Sequence, residues 1–141
     1  MIFLTIEQDL VPKNLQFSPE KIKRLVKIFQ EFLPEVTGGV EVVFVSEADI
    51  RQYNRQYRGL DKVTDVLSFG VENVETAGGQ LGDVLICLEQ AVRQAGDGDI
   101  ELELADLLVH GVLHLLGYDH EEPGQAEEMF PLQDKIIAQL L

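Results

Sequence analysis

The apolar positions along the chain follow two periods. Residues 1–7 alternate, with Ile2, Leu4 and Ile6 on one side, which predicts a half-buried strand. Ser18-Pro19-Glu20 then reads as a helix start, with Ser as N-cap, Pro at the first position and an acid in the first turn. Ile22, Leu25, Val26, Phe29, Phe32 and Leu33 recur at helical spacing until Pro34 stops them. Residues 40–46 predict a second strand. Ser46-Glu-Ala-Asp49 resembles a capping box with Asp in place of Glu, and opens a helix to residue 57. Its expected inner stripe is Ile50, Tyr53, Asn54 and Tyr57, and Gly59 ends it. Residues 64–69 and 81–88 predict two more strands around a Gly-rich loop, and 89–95 a short helix.

Asp99 is placed to cap a long helix over 100–116, apolar nearly all round after Leu104 and therefore covered on more than one side. A last amphipathic helix, 124–141, turns Met129, Phe130, Ile136, Ile137 and Leu140 inward. Pro131 within it predicts a kink or a split, because proline removes one hydrogen bond and clashes with the preceding turn. No repeat or linker interrupts the chain. Four strands interleaved with helices predict one domain, 1–141, of mixed α/β layers around one small sheet.

All three histidines lie in His110-Gly-Val-Leu-His114-Leu-Leu-Gly117-Tyr-Asp-His120. His110 and His114 are one turn apart in the long apolar helix, so both rings leave one face, roughly 6 Å apart along the axis. Gly117 suits the left-handed conformation that ends a helix, and the reversal swings His120 back towards the other two. A lone histidine on an apolar helix is usually a hydrogen-bonded core residue. Three at this spacing, with none elsewhere, instead predict a three-nitrogen zinc site with its fourth position open, one Zn(2+) per chain. The zincin-like pattern His-x3-His-x5-His matches the metzincin proteases with one change. Those enzymes carry Glu after the first histidine as general base, and here that place holds Gly111.

Composition changes the picture in three ways. A single cysteine, Cys87, excludes an internal disulfide and reads as a small buried residue. No run approaches the roughly 20 apolar residues of a membrane span, and the N-terminus is too short and too early charged for a signal peptide. A cytoplasmic protein that stays off membranes is expected. The net charge of −14 argues against a polyanionic partner, but it is unevenly placed. Residues 1–62 hold nine Lys/Arg and nine Asp/Glu, whereas residues 63–141 hold two and sixteen. Any anion-binding surface must therefore come from the N-terminal half. Lys21, Lys23, Arg24 and Lys27 cluster around the exposed side of its first helix, and Arg51, Arg55 and Arg58 share the polar side and end of its second.

The histidine block looks like the signature of the bacterial YbeY endoribonucleases, the rRNA maturation factors. Two further blocks carry the resemblance: Asn54-x-x-Tyr57-Arg58-x-x-Asp61-x-x-Thr64-Asp65-Val66-Leu67-Ser68-Phe69 and Leu81-Gly82-Asp83-Val84-x-Ile86. It spans nearly the whole chain. Val63 and Gly70 depart from it, standing where the family usually has proline, and Cys87 stands where it often has serine. The resemblance implies an α+β fold, a four-stranded mixed sheet surrounded by helices with zinc at a cleft. It implies a zinc-dependent, single-strand-specific endoribonuclease that acts in ribosomal RNA processing, notably at the small-subunit (16S) 3′ end, and in ribosome quality control. Single-stranded rRNA and the ribosome or its proteins are the implied partners, and DNA is not.

The same resemblance assigns the metal to His110, His114 and His120 and a catalytic role to Arg58. From the residues alone, Arg58 serves equally well as a phosphate clamp or as a salt-bridge partner of Asp61 or Asp65. The charge map adds Lys21, Lys23, Arg24, Lys27, Arg51 and Arg55 as the expected RNA-binding face. Asp65 and Asp83 read as turn caps or as support for a histidine. Gly111 cannot act as a base, Asp119 and Glu121 are near in sequence, and RNA offers its own 2′-OH as nucleophile. Two other readings compete: a metalloprotease-like zinc hydrolase, and a non-enzymatic ribosome-assembly module with structural zinc.

Overall fold

Four strands form one mixed sheet: β1 (Ile2–Glu7), β2 (Gly38–Val45), β3 (Val66–Gly70) and β4 (Gln80–Cys87). A computed structural model describes residues 1–141, apart from the side chain of Pro123. The spatial order is β1-β2-β4-β3, with β1, β2 and β4 parallel and β3 antiparallel on the β4 edge. Five helices complete the α+β fold: α1 (Pro19–Phe32), α2 (Glu47–Arg58), α3 (Leu88–Ala95), α4 (Ile100–Leu115) and α5 (Pro123–Leu140). The expected four-stranded mixed sheet with helices around it holds. The caps read from the sequence form as well. Ser18 Oγ accepts from the Lys21 N–H, Ser46 Oγ from the Asp49 N–H, and Asp99 Oδ1 from the Glu101 and Leu102 N–H groups.

The sheet has two unequal faces. Val40, Val42, Phe44, Val84 and Ile86 look into the main core, filled by α1, α4 and α5, with Leu25, Phe29, Leu108, Leu113, Met129 and Ile136 fully buried. The other face carries only α2, over a small cluster of Ile50, Leu67, Leu85 and Cys87. α2 is too narrow a cover for the stripe expected of it. Ile50 and Asn54 are buried, but Tyr53 and Tyr57 are 40% and 61% exposed, turned aside towards Phe69. Asn54 is drawn in because its Nδ2 donates to the Lys62 carbonyl at 3.0 Å, which fastens the loop after α2.

α5 differs from expectation too. It runs as one helix through Pro131, because Met129 before it and Ile136, Ile137 and Leu140 after it are all packed in the core. Phe130, expected inward, is 43% exposed.

α4 lies directly on β3 and β4, and Gly111 is the point of closest approach. A Cβ there would stand 2.5 Å from Val84 Cγ1 and 3.1 Å from Val66 Cγ2. Ser68 Oγ on β3 donates to the Gly111 carbonyl at 2.7 Å and holds this contact. Gly111→Ala gains about 1 kcal/mol of helix propensity but forces a branched neighbour out of place, at about 1–3 kcal/mol. A lowered melting temperature is therefore expected for this variant, and an unchanged or raised one would show that the sheet yields freely.

Candidate metal centre

The last turns of α4 present His110 and His114 on the side that faces away from the main core. The helix ends in a Schellman motif: Tyr118 N–H donates to the Leu113 carbonyl and Gly117 N–H to that of His114, each at 3.0 Å, with Gly117 at φ 101°. The chain turns back and delivers His120. Ring centroids are then 4.6 Å apart for His110 and His114, 5.3 Å for His110 and His120, and 5.1 Å for His114 and His120. One nitrogen from each ring lies within 4.8 Å of the others.

Side chains around the rings hold them in position. Asp119 Oδ1 accepts the His120 N–H at 2.7 Å, and this bond holds its carboxyl below the usual carboxylate range. The Phe130 ring lies along His120, with centroids 5.5 Å apart and planes 27° apart. Gln133, buried on α5, reaches His110: Nδ1 and Gln133 Oε1 are 2.9 Å apart, and Gln133 Nε2 donates to Asp106 Oδ1 at 2.7 Å. A carboxylate only accepts, so the Gln133 amide is turned with its oxygen towards His110. His110 must then donate from Nδ1, which leaves Nε2 as its lone-pair nitrogen. Burial, followed by the neighbouring His110 and His120, pushes the His114 pKa down and favours the neutral ring. Three imidazoles, one of them with its tautomer fixed, make a donor set that can hold a divalent metal. Gln133→Leu keeps the volume and removes both hydrogen bonds. Metal affinity, read by chelator competition, is expected to fall about 10- to 100-fold with the fold retained. Wild-type affinity in that variant would reduce Gln133 to core filling.

The histidines open on a cleft of about 490 Å³ that Arg58, Asp65, Ser68, Asp119 and Glu121 also line. Arg58 is the last residue of α2 and is exposed. Both acids that the sequence offered it as partners are engaged elsewhere. Asp61 receives Arg51 through Nε at 2.9 Å and Nη2 at 3.2 Å, a pairing that lowers the Asp61 pKa and raises that of Arg51. Asp65 accepts from the Val66 N–H at 2.8 Å and from Gln94 Nε2 at 3.1 Å. Among the described residues, Arg58 takes part in no ion pair.

Of the basic residues, Arg58 alone lines the cleft among the described residues. Arg51 and Arg55 lie on α2, on the sheet face opposite the main core. Lys21, Lys23, Arg24 and Lys27 lie on α1, which packs on the main-core face against α5 and β1, and none of them lines the cleft. Arg24 donates to the Leu140 carbonyl and so joins α1 to the end of α5. Lys21 stands 5.1 Å over the Phe17 ring. Asp83 does not touch a histidine and sits mid-strand on the α2 side of β4. The sequence reading missed Gln133 altogether and had Phe130 only as an inward core residue, without its contact to His120. Gln133 carried a usable signal, a polar residue in register with the inward Met129, Ile136 and Ile137.

Three comparisons place these features among known proteins. A family model described as Endoribonuclease YbeY matches residues 6–141. A protein of Limosilactobacillus fermentum with the same description is 36% identical over 145 residues, 92% of each chain. One from Pelotomaculum thermopropionicum, also so described, is 47% identical over 108 residues, covering 72% of this chain and 71% of its own. The solution structure of TM1509 from Thermotoga maritima matches with a TM-score of 0.66 at 30% identity, over 99% of this chain and 89% of that one.

Proposed function

The chain belongs to the Endoribonuclease YbeY family, and on that premise we propose that it is a zinc-dependent, single-strand-specific endoribonuclease of ribosomal RNA processing. Its proposed substrate is the 3′ region of small-subunit (16S) rRNA, with a part in ribosome quality control and the ribosome or its proteins as recruiting partners in the cytoplasm. No helix is long and apolar enough to cross a membrane. The observation that supports this reading above the others is the convergence of three histidine nitrogens and an unpaired Arg58 on one cleft.

His110, His114 and His120 would hold the zinc, which supplies Lewis acidity for phosphodiester cleavage. The chain's own groups do the rest. The Arg58 guanidinium offers a planar fork of donors to the phosphate oxygens, where negative charge gathers in the transition state. Gln133 keeps His110 in one tautomer, Asp119 shapes the turn at His120, and the Phe130 ring on α5 lies along the His120 ring.

Against a peptidase reading stands Gly111, where the metzincin glutamate is missing and even a methyl group would crowd Val84. A structural zinc site usually closes with a fourth protein ligand, often cysteine. Among the described residues the cluster comprises three histidines, and Cys87 is buried on the other side of the sheet.

Metal-free protein reloaded with zinc should cut single-stranded RNA, spare the same sequence as duplex, DNA and casein, and lose activity to chelators. Equal cutting of duplex RNA, or chelator-resistant cutting, would overturn the assignment. Of the basic residues, Arg51 and Arg55 share the helix that ends at Arg58 and would extend the RNA path from it, while Lys21, Lys23, Arg24 and Lys27, on the other face of the sheet, would serve a separate contact with a large RNA. Arg55→Glu should weaken binding of a short oligonucleotide and flatten its salt dependence, and the double variant Lys23→Glu with Lys27→Glu should not. The opposite ranking would move the RNA path to α1.

A further inference from the structure

β3 is an edge strand, and it separates the histidine cleft from a second hollow of about 620 Å³ on the α2 side of the sheet. Tyr53 and Tyr57 of α2 and Phe69 of β3 line that hollow, over a floor of Leu67 and Leu85. Their rings form one cluster. Tyr57 meets Phe69 edge-on at 5.1 Å and lies nearly parallel to Tyr53 at 6.2 Å, an interplanar angle of 15°. Arg58 and Ser68 line both hollows, so the two are continuous around the β3 edge.

Besides Arg58 at this junction, the charged group lining the second hollow is Asp83. A carboxylate repels phosphate, so the sugar-phosphate backbone does not belong there. Aromatic faces suit a nucleobase, which stacks on them whatever its sequence. We propose that Tyr53, Tyr57 and Phe69 form a base-stacking subsite that takes a nucleobase flanking the phosphate held at Arg58. The inference rests on the endoribonuclease reading and deepens it. A base can enter the hollow only when it is unpaired and splayed out, which gives the enzyme a physical reason to prefer single strands. Continuity with Arg58 favours RNA over an apolar side chain of a protein partner as the occupant.

Tyr57 is the most exposed of the three, so its removal leaves the core intact. The test uses metal-free protein and a short labelled single-stranded oligoribonucleotide, intact or with an abasic site at each position in turn. Tyr57→Ala should weaken binding of the intact strand about 5- to 100-fold, the range for losing one stacked base, and Tyr57→Trp should restore it. Wild type should lose a similar factor at one abasic position, where Tyr57→Ala then costs nothing more. Unchanged affinity in Tyr57→Ala, or losses that simply add with every abasic site, would overturn the subsite. A variant that binds RNA normally but no longer sediments with ribosomes would also overturn it and assign the rings to a protein partner. Tyr57-dependent, base-dependent binding without zinc-dependent cleavage would leave the subsite standing and remove the nuclease reading. Cleavage with no Tyr57 effect on affinity would do the reverse.

Discussion

Replacing His114 by alanine should strip the chain of its metal and reduce cleavage to the uncatalysed background, while most of the fold survives. His114 is half-buried at the cleft, one turn from His110, and is a member of the three-nitrogen cluster. Two remaining imidazoles do not make a zinc site. The fold does not need this ring, because the buried side of α4, from Leu104 to Leu113, packs elsewhere, and a chain of this length buries a core without metal. Elemental analysis should find one transition metal ion per wild-type chain and none in the variant. Circular dichroism should find similar helix in both. Equal zinc in the two proteins would remove the histidine cluster as the metal site.

Arg58→Lys should lower single-turnover cleavage by about ten- to a thousandfold, the loss expected when a transition-state donor is removed. Lysine keeps the charge and loses the two-pronged donor geometry, so the variant isolates geometry from electrostatics. Zinc content and melting temperature should hardly move. Asp61 is already satisfied by Arg51 and Asp65 by Val66 and Gln94, so no acid loses its partner. A scaffold role predicts the reverse order, stability lost first and chemistry only as folding fails. Undiminished, chelator-sensitive cleavage by a well-folded Arg58→Lys protein would falsify the clamp.

Local rules carried much of the molecule into the sequence. A cap needs only its own turn, so Ser18, Ser46 and Asp99 announce their helices, and Gly117 announces the reversal that delivers His120. The histidine cluster was legible for the same reason, since its three members sit within eleven residues. What failed depended on distant cover. Helical period grouped Tyr53 and Tyr57 with Ile50 but could not say that α2 has only a narrow strip of sheet beneath it. Charge runs grouped α1 with α2 without showing that the two helices lie on opposite faces of the sheet, or that the Arg24 guanidinium reaches a carbonyl 116 residues away. Pro131 signalled a broken helix, and packing on both sides of it kept the axis whole. Gln133 approaches His110 only because α5 folds back over α4, a contact 23 residues apart in sequence.

The three candidate ligands stand on unequal footing. Two belong to a helix packed into the core, so they can shift only when the whole α4 layer opens, whereas His120 is exposed on a turn held by one hydrogen bond and one ring contact. Metal exchange should therefore be a sequential process with a defined first step, the detachment of His120. Residence time would be set by the local opening of that turn, orders of magnitude faster than global unfolding. Changes at Asp119 or Phe130 would act mainly on the dissociation rate and leave capture by the helical pair little altered, so a metal held here would trade the permanence of a closed cage for exchange with the surrounding metal pool.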